Sequence, residues 1–307
     1  MNLNRIYEYK IFNYNPFTPV YGLARAALAM GTLITILFND INMLFDKDIF
    51  VKLSEIDSHL IKLNLFNVFG YDNLVFSKFL AVSILLIVII GYFPRYTGIL
   101  HWWVAFSYNS FSILIDGGDQ LTSVLTFLLI PITILDNRKN HWNLSTSKKT
   151  VNTLFIANSF FFIISIQMAT VYLQAAVEKL YKLNEWVSGT ALYYYMNDPL
   201  FGSPSWLLNV ISPLLNSKLI FFLSWSVILL ELLLFSALFM NKKNKVVLFY
   251  FAVLFHTMII INFGLFSFFF AMLGGLIIYL LPKNIQIQKI ISPLKLTRNI
   301  NTTGNNV

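Results

Sequence analysis

Long apolar runs, broken by short polar stretches, dominate this chain from about residue 20 to residue 282. A helix crossing about 30 Å of hydrocarbon at about 1.5 Å per residue needs roughly 20 residues. Eight runs are candidates: Val20–Phe38, Val75–Phe93, Tyr96–Leu114, Leu121–Leu135, Val151–Val177, Leu219–Met240, Val246–Ile261 and Leu265–Leu281. The fourth and seventh are short, and fit a tilted or re-entrant segment as well as a full crossing. The pattern therefore predicts an all-α fold, a polytopic integral membrane bundle of about eight transmembrane helices. Residues 1–19 form an N-terminal segment, 20–282 the transmembrane domain, and 283–307 a polar tail expected to be disordered.

Charge sets the orientation, because cytoplasmic loops are enriched in lysine and arginine. With the N-terminus inside, the inner segments hold fourteen such residues and the outer ones seven, leaving Arg25 within the first span. Arg5, Lys10, Lys148 and Lys283 are among the fourteen. Both termini are thus expected in the cytoplasm. Two outer loops are long. Residues 39–74 are acidic, with Asp40, Asp46, Asp48, Glu55, Asp57 and Asp72. Residues 180–218 are aromatic, and Trp186, Leu192, Tyr193 and Met196 are spaced to suit a short helix lying in the interface. No internal repeat is visible, so the inverted repeats of many carriers are not indicated.

Composition narrows the function classes. Hydrophobic residues make up 57% of the chain and charged ones 12%, with a mean hydropathy of +0.68. A soluble domain carries about 25% charge. The absence of cysteine excludes thiol–disulfide chemistry and iron–sulfur clusters. A net charge of +8 raises nucleic acid as a partner, but the basic residues sit in short loops instead of lining a groove. The expected partner is the lipid bilayer, not nucleic acid. Ala24-Arg25-Ala26 lies inside the first apolar run, so it does not mark a signal-peptide cleavage site. The motifs of metalloproteases, serine hydrolases and phosphate-binding loops are missing, and no metal site is expected.

Ionisable groups at membrane depth are costly, and so point to sites. Lys179 closes the fifth span, with Glu178 beside it and Gln167 and Gln174 spaced along one helical face. In a partly dry pocket its amine could act as a base or a substrate-holding cation; the alternative is a lysine reaching the headgroups. His256 in the seventh span is either a proton partner or an interhelical hydrogen-bonder. Asp116-Gly117-Gly118-Asp119 offers two carboxylates to a substrate, or is a capped turn with Asp119 as the N-cap. Arg25 and Glu231 both fall toward the inner half of their spans and are expected to form a structural ion pair.

These residues carry a family likeness. Asn15-Pro16-Phe17 precedes the span with Arg25, and Asp116-Gly117-Gly118-Asp119-Gln120-Leu121 follows later. Tyr172 then leads into Ala176-Val177-Glu178-Lys179-Leu180 and Trp186-Val187-Ser188-Gly189, and Phe255-His256 into Gly264-Leu265-Phe266-Ser267. Over residues 15–282 the chain resembles the HTTM membrane module, whose best-known relative is the vitamin K-dependent γ-carboxylase. In size it is most similar to the sporulation-delaying protein B (SdpB) family of bacterial antimicrobial-peptide systems.

The resemblance implies a multi-pass protein of the bacterial cytoplasmic membrane that matures an exported peptide toxin. Its implied partners are the toxin precursor and a small protein like SdpA. Lys179 and His256 would be catalytic, and Asp116, Asp119, Gln174, Glu178 and Trp186 would line an outward-facing polar cavity. The carboxylase branch implies a quinone or hydroquinone cofactor and a quinone-linked carboxylase or oxidoreductase activity. A carrier or immunity protein without chemistry is the third class.

Overall fold

The computed structural model describes residues 14–145 and 149–282, which are helical and contain no strand. Arg5, Lys10 and Lys148 lie outside the described residues, as does the tail 283–307. Eight long helices account for the eight apolar runs: α1 (Pro19–Phe38), α2 (Leu74–Ile90), α3 (Pro94–Phe111), α4 (Gly117–Ile134), α5 (Val151–Tyr181), α6 (Leu219–Ser236), α7 (Lys242–Phe263) and α8 (Phe266–Leu280). Local chemistry sets their ends. Pro19 and Pro94 open α1 and α3, where a missing N–H is harmless. Thr150 and Asn241 cap α5 and α7 through their side chains. Gly91 and Gly264 close α2 and α7 at φ +93 and +68, a left-handed conformation that glycine adopts without strain.

Among the described residues, six helices are long and apolar enough to cross a membrane: α1, α2 with the turn before it, α4, α5, α6 with its 3-10 extension, and α7. The two runs that read as short are among them. Caps at Asp116 and Asn241 recruit polar residues into α4 and α7, lengthening helices whose apolar stretches begin later. The two helices outside that group are α3, which carries Arg95, His101 and Asn109, and α8, which has 15 residues. Ala271, Met272 and Gly274–Leu280 are all buried, so α8 is wrapped by protein nearly all round and is a core helix.

The bundle is built around α8, which packs most extensively on α1 and also meets α4, α5 and α7. Small residues let α1 and α8 approach. A Cβ on Gly31 would lie 2.9 Å from the Ser267 carbonyl oxygen, and one on Gly274 would lie 2.6 Å from Leu28 and 3.0 Å from the Ala24 oxygen. On one side, α2 and α3 share a second apolar cluster with α1 and four short helices of the acidic loop. Asp40 and Asp46 in that loop act as N-caps. Between α5 and α6 lie three short helices, Asn184–Val187, Ala191–Met196 and Ser205–Leu215, where one interfacial helix was expected. Phe79, Phe222 and Phe251 are exposed on the outer faces of their helices, the inverse of a soluble protein's surface.

The glycine contact is testable. Gly274→Val should lower the thermal stability of detergent-solubilised protein by about 1–3 kcal/mol, an overpacking cost. Gly117→Ala, whose added Cβ meets nothing nearer than 3.8 Å, should leave it unchanged. Equal melting temperatures for the Gly274 variant and the parent would contradict this packing.

Candidate functional site

Tyr172 and Lys179 are seven residues apart on α5, so both project from the same face, toward α6 and α7. Lys179 Nζ lies 2.7 Å from Glu231 Oε1 on α6, with side-chain exposures of 19% and 6%. The Trp186 ring, from the short helix after α5, covers the same ammonium at 5.2 Å, a cation–π contact. From α7, His256 turns Nε2 toward the Tyr172 hydroxyl at 3.1 Å. Its ring is wedged among aromatic edges, 5.0 Å from Phe255 and 5.6 Å from Phe268. Two polar atoms of this group have no partner among the described residues: Glu231 Oε2 and His256 Nδ1.

These side chains line one cavity of about 890 Å³. Its walls are mostly apolar, with Leu121 and Val124 from α4, Val171 from α5, Phe263 from α7 and Met272 from α8. The arrangement can hold an ammonium against a carboxylate, keep a buried imidazole bonded to a phenol behind the wall, and exclude water with aromatic rings. An ion pair held in so apolar a setting makes each partner costly to remove alone, because the other is left as an uncompensated buried charge.

The structure gathers Lys179, His256, Glu178, Trp186 and Glu231 on this cavity, whose lining does not include Gln174, Asp116, Asp119 or Arg25. Glu178 stands at its edge, paired with Lys182 at 2.8 Å. Gln174 is exposed, bonds weakly to Glu178 at 3.4 Å, and does not join the wall; Gln167 does. Of the polar stripe expected on α5, Gln167 and Glu178 line the cavity together with Tyr172 and Lys179, and Gln174 does not.

Asp116 and Asp119 are spent on structure. Asp116, not Asp119, is the N-cap of α4: its Oδ1 accepts the Gly118 and Asp119 N–H groups, and Asp119 Oδ2 accepts the Asp116 N–H. This reciprocal capping box uses the free donors of the first turn. Ser267 Oγ donates to Asp116 Oδ2 at 2.8 Å, pinning the start of α4 to the start of α8. Of that turn, Gly117 and Gln120 reach the cavity.

The expected Arg25–Glu231 pair is absent, and both groups have other partners. Arg25, 1% exposed, meets His141 Nδ1 and Thr97 Oγ1, each at 3.1 Å. His141 belongs to the loop between α4 and α5, held by an Arg138–Asp136 bridge of 2.7 Å and by its own N–H to the Gly91 oxygen. Burial, with Arg25 and Arg138 beside it, drives the His141 imidazole down to about 2, so it stays neutral and accepts from the guanidinium. This loop packs against α1 near Gly22, at the end of the bundle where α5 begins. Lys179 lies near the far end of α5. Depth along a span gives no azimuth, and Glu231, the thirteenth residue of α6, faces α5 and not α1.

Sequence reasoning also missed Tyr172 as a site residue, although its seven-residue spacing from Lys179 was a usable signal. Among the described residues, no three His, Asp or Glu side chains converge to hold a metal.

Comparison with known proteins gives two relatives from Bacillus subtilis (strain 168). The chain is 38% identical over 287 residues to sporulation-delaying protein SdpB, covering 91% of this chain and 86% of the relative. It is 37% identical over 281 residues to the uncharacterized protein YitO, covering 89% of each. No protein-family model matches the chain, and no solved structure does.

The ion pair predicts an asymmetric mutant series. Lys179→Met should destabilise the solubilised protein by about 3 kcal/mol, the cost of stranding one buried charge. Lys179→Met combined with Glu231→Leu should recover most of that loss in a thermal melt. A harmless single variant, or a double variant no better than the single, would show that the two groups are not paired.

Proposed function

The chain belongs to the SdpB family, and from that premise we propose that it works in a sporulation-delaying protein system, where it matures an exported peptide toxin. The observation that carries this reading is the cavity itself. A buried ion pair and a hydrogen-bonded imidazole share one apolar chamber, large enough for several amino-acid side chains. In this role Lys179 holds the substrate as a cation anchored by Glu231, His256 exchanges a proton with it, and Trp186 shields the ammonium. The partners are the toxin precursor and a small SdpA-like protein.

The proposed topology is eight crossings in the bacterial cytoplasmic membrane with both termini in the cytoplasm, which turns the Lys179 end of the bundle outward. The excess of basic residues in the inner segments supports it. An exported precursor would meet the cavity on that side. The hydroquinone implied by the carboxylase resemblance also fits the residues present. Trp186, Phe255 and Phe268 put aromatic rings on the cavity wall, and Lys179 would donate to the oxygens of a flat ring held there. When bound, such a group would supply reducing electrons and an acidic phenol.

Two measurements test this reading. Mass spectrometry of medium from producing cells should find mature peptide reduced to background for His256→Ala and for the Lys179→Met/Glu231→Leu double variant, with protein levels kept. Full output from both would reject the site. Since the chain lacks cysteine, single introduced thiols report sidedness. An impermeant maleimide should label Asp57→Cys in intact cells and Leu144→Cys only after lysis; the reverse pattern would invert the topology.

A further inference from the structure

The helix Ser205–Leu215 divides its surface three ways. At about 3.6 residues per turn, Trp206, Val210 and Leu214 share one face, Leu207, Ile211 and Leu215 a second, and Ser205, Asn209 and Ser212 a third. The second face is turned to the protein: Leu215 is buried, and Leu207 and Ile211 partly so. On the first face, Trp206 and Val210 are 63% and 71% exposed. The third face is polar and uncharged. Pro213 has no N–H to give the Asn209 carbonyl four residues earlier, so that carbonyl needs water. Hydrocarbon cannot supply it, and the polar face therefore looks away from lipid.

Both ends of this helix are fixed at one end of the bundle. Just before it, Ser203 Oγ donates to Asn262 Oδ1 at 2.9 Å, beside the last residue of α7. Just after it, Asn216, Ser217 and Lys218 lead directly to Leu219, where α6 begins. A short turn joins α6 to α7 at their other ends, so the start of α6 and the end of α7 lie together. The helix is strapped across those two tips. Its 11 residues rise about 16 Å, too little to cross about 30 Å of hydrocarbon. Phe222, in the first turn of α6, is exposed as well, so exposed apolar surface resumes where α6 starts.

We propose that Ser205–Leu215 is a lipid anchor lying in the plane of the membrane boundary. Trp206, Val210 and Leu214 enter the acyl region of one leaflet, and Ser205, Asn209 and Ser212 face water. Tryptophan is favoured at this level, and exposed Lys218 stands where its ammonium meets lipid phosphates. The anchor bears on the cavity. The short helix Ala191–Met196 packs on both the anchor and α6, and it supplies Leu192 and Tyr195 to the cavity wall. Docking on lipid thus holds that wall at headgroup height. This inference rests on the proposed crossing of the membrane by α6, and it is independent of the side on which α6 begins.

The chain has no cysteine, so each variant can carry a single nitroxide label. Full-length protein in lipid nanodiscs would be measured by power-saturation EPR with two relaxants, oxygen, which concentrates in lipid, and a nickel chelate, which stays in water. Labels at Val210→Cys and Leu214→Cys should favour oxygen, at a depth of about 5–10 Å. Labels at Ser205→Cys and Asn209→Cys should favour nickel, with oxygen-to-nickel ratios several-fold lower. Phe222→Cys reports on α6 itself. Nickel access at Val210 and Leu214, with oxygen access at Phe222, would overturn the anchor and leave the crossing of α6 intact. Nickel access at Phe222 as well would overturn both. Shielding of Val210 and Leu214 from both relaxants would mean that a second copy of the chain covers this face, and would overturn lipid docking.

Discussion

A lysine and a glutamate meeting at 2.7 Å between α5 and α6 fix the geometry of the candidate site. Removing two charges from water costs several kcal/mol per ion, and their attraction at best offsets that. Such a pair is a poor device for stability alone. It does fix the azimuth of α5 against α6 and leaves one carboxylate oxygen aimed at no protein partner. The neighbouring imidazole is fixed in the same way, by Tyr172 from α5 and by aromatic edges from α7 and α8.

Packing elsewhere makes that arrangement rigid. Glycines on α1 and α8 allow a close crossing that buries the second half of α8, and Phe268 and Met272 of α8 supply part of the cavity wall. The Asp116 capping box ties the start of α4 to Ser267 at the start of α8, so the cavity's edge is braced by a turn that contributes little to its lining chemistry. At the other end, Arg25, Thr97 and His141 lock the α4–α5 loop against α1 and α3. The bundle thus carries two separated polar clusters: one closed and fully packed around Arg25, one open around Lys179.

The eight apolar runs are readable from the sequence because hydropathy reports removal from water, and their helical bounds differ by only a few residues. The class of crossing is less readable. Thr97, His101 and Ser107 of α3 and the second half of α8 are buried inside the protein, which hydropathy cannot distinguish from burial in lipid. Lys179, His256 and Trp186 stand out as rare ionisable or aromatic groups in or beside apolar runs, and the fold gathers them on one cavity. The partner of Glu231 was not legible, because spacing along a helix fixes height and face only relative to that helix. Arg25 was assigned to Glu231 by height alone, whereas their faces point to different neighbours. Tyr172 was overlooked among forty-five Phe and Tyr residues, most of which pack or face lipid.

The most direct check is an experimental structure of the protein in lipid nanodiscs, at a resolution that shows side chains. The account requires Lys179 Nζ within hydrogen-bonding distance of the Glu231 carboxylate and His256 on the same cavity, with Arg25 bonded to His141. A Lys179 side chain extended into the headgroups, with Glu231 turned to Arg25, would contradict it.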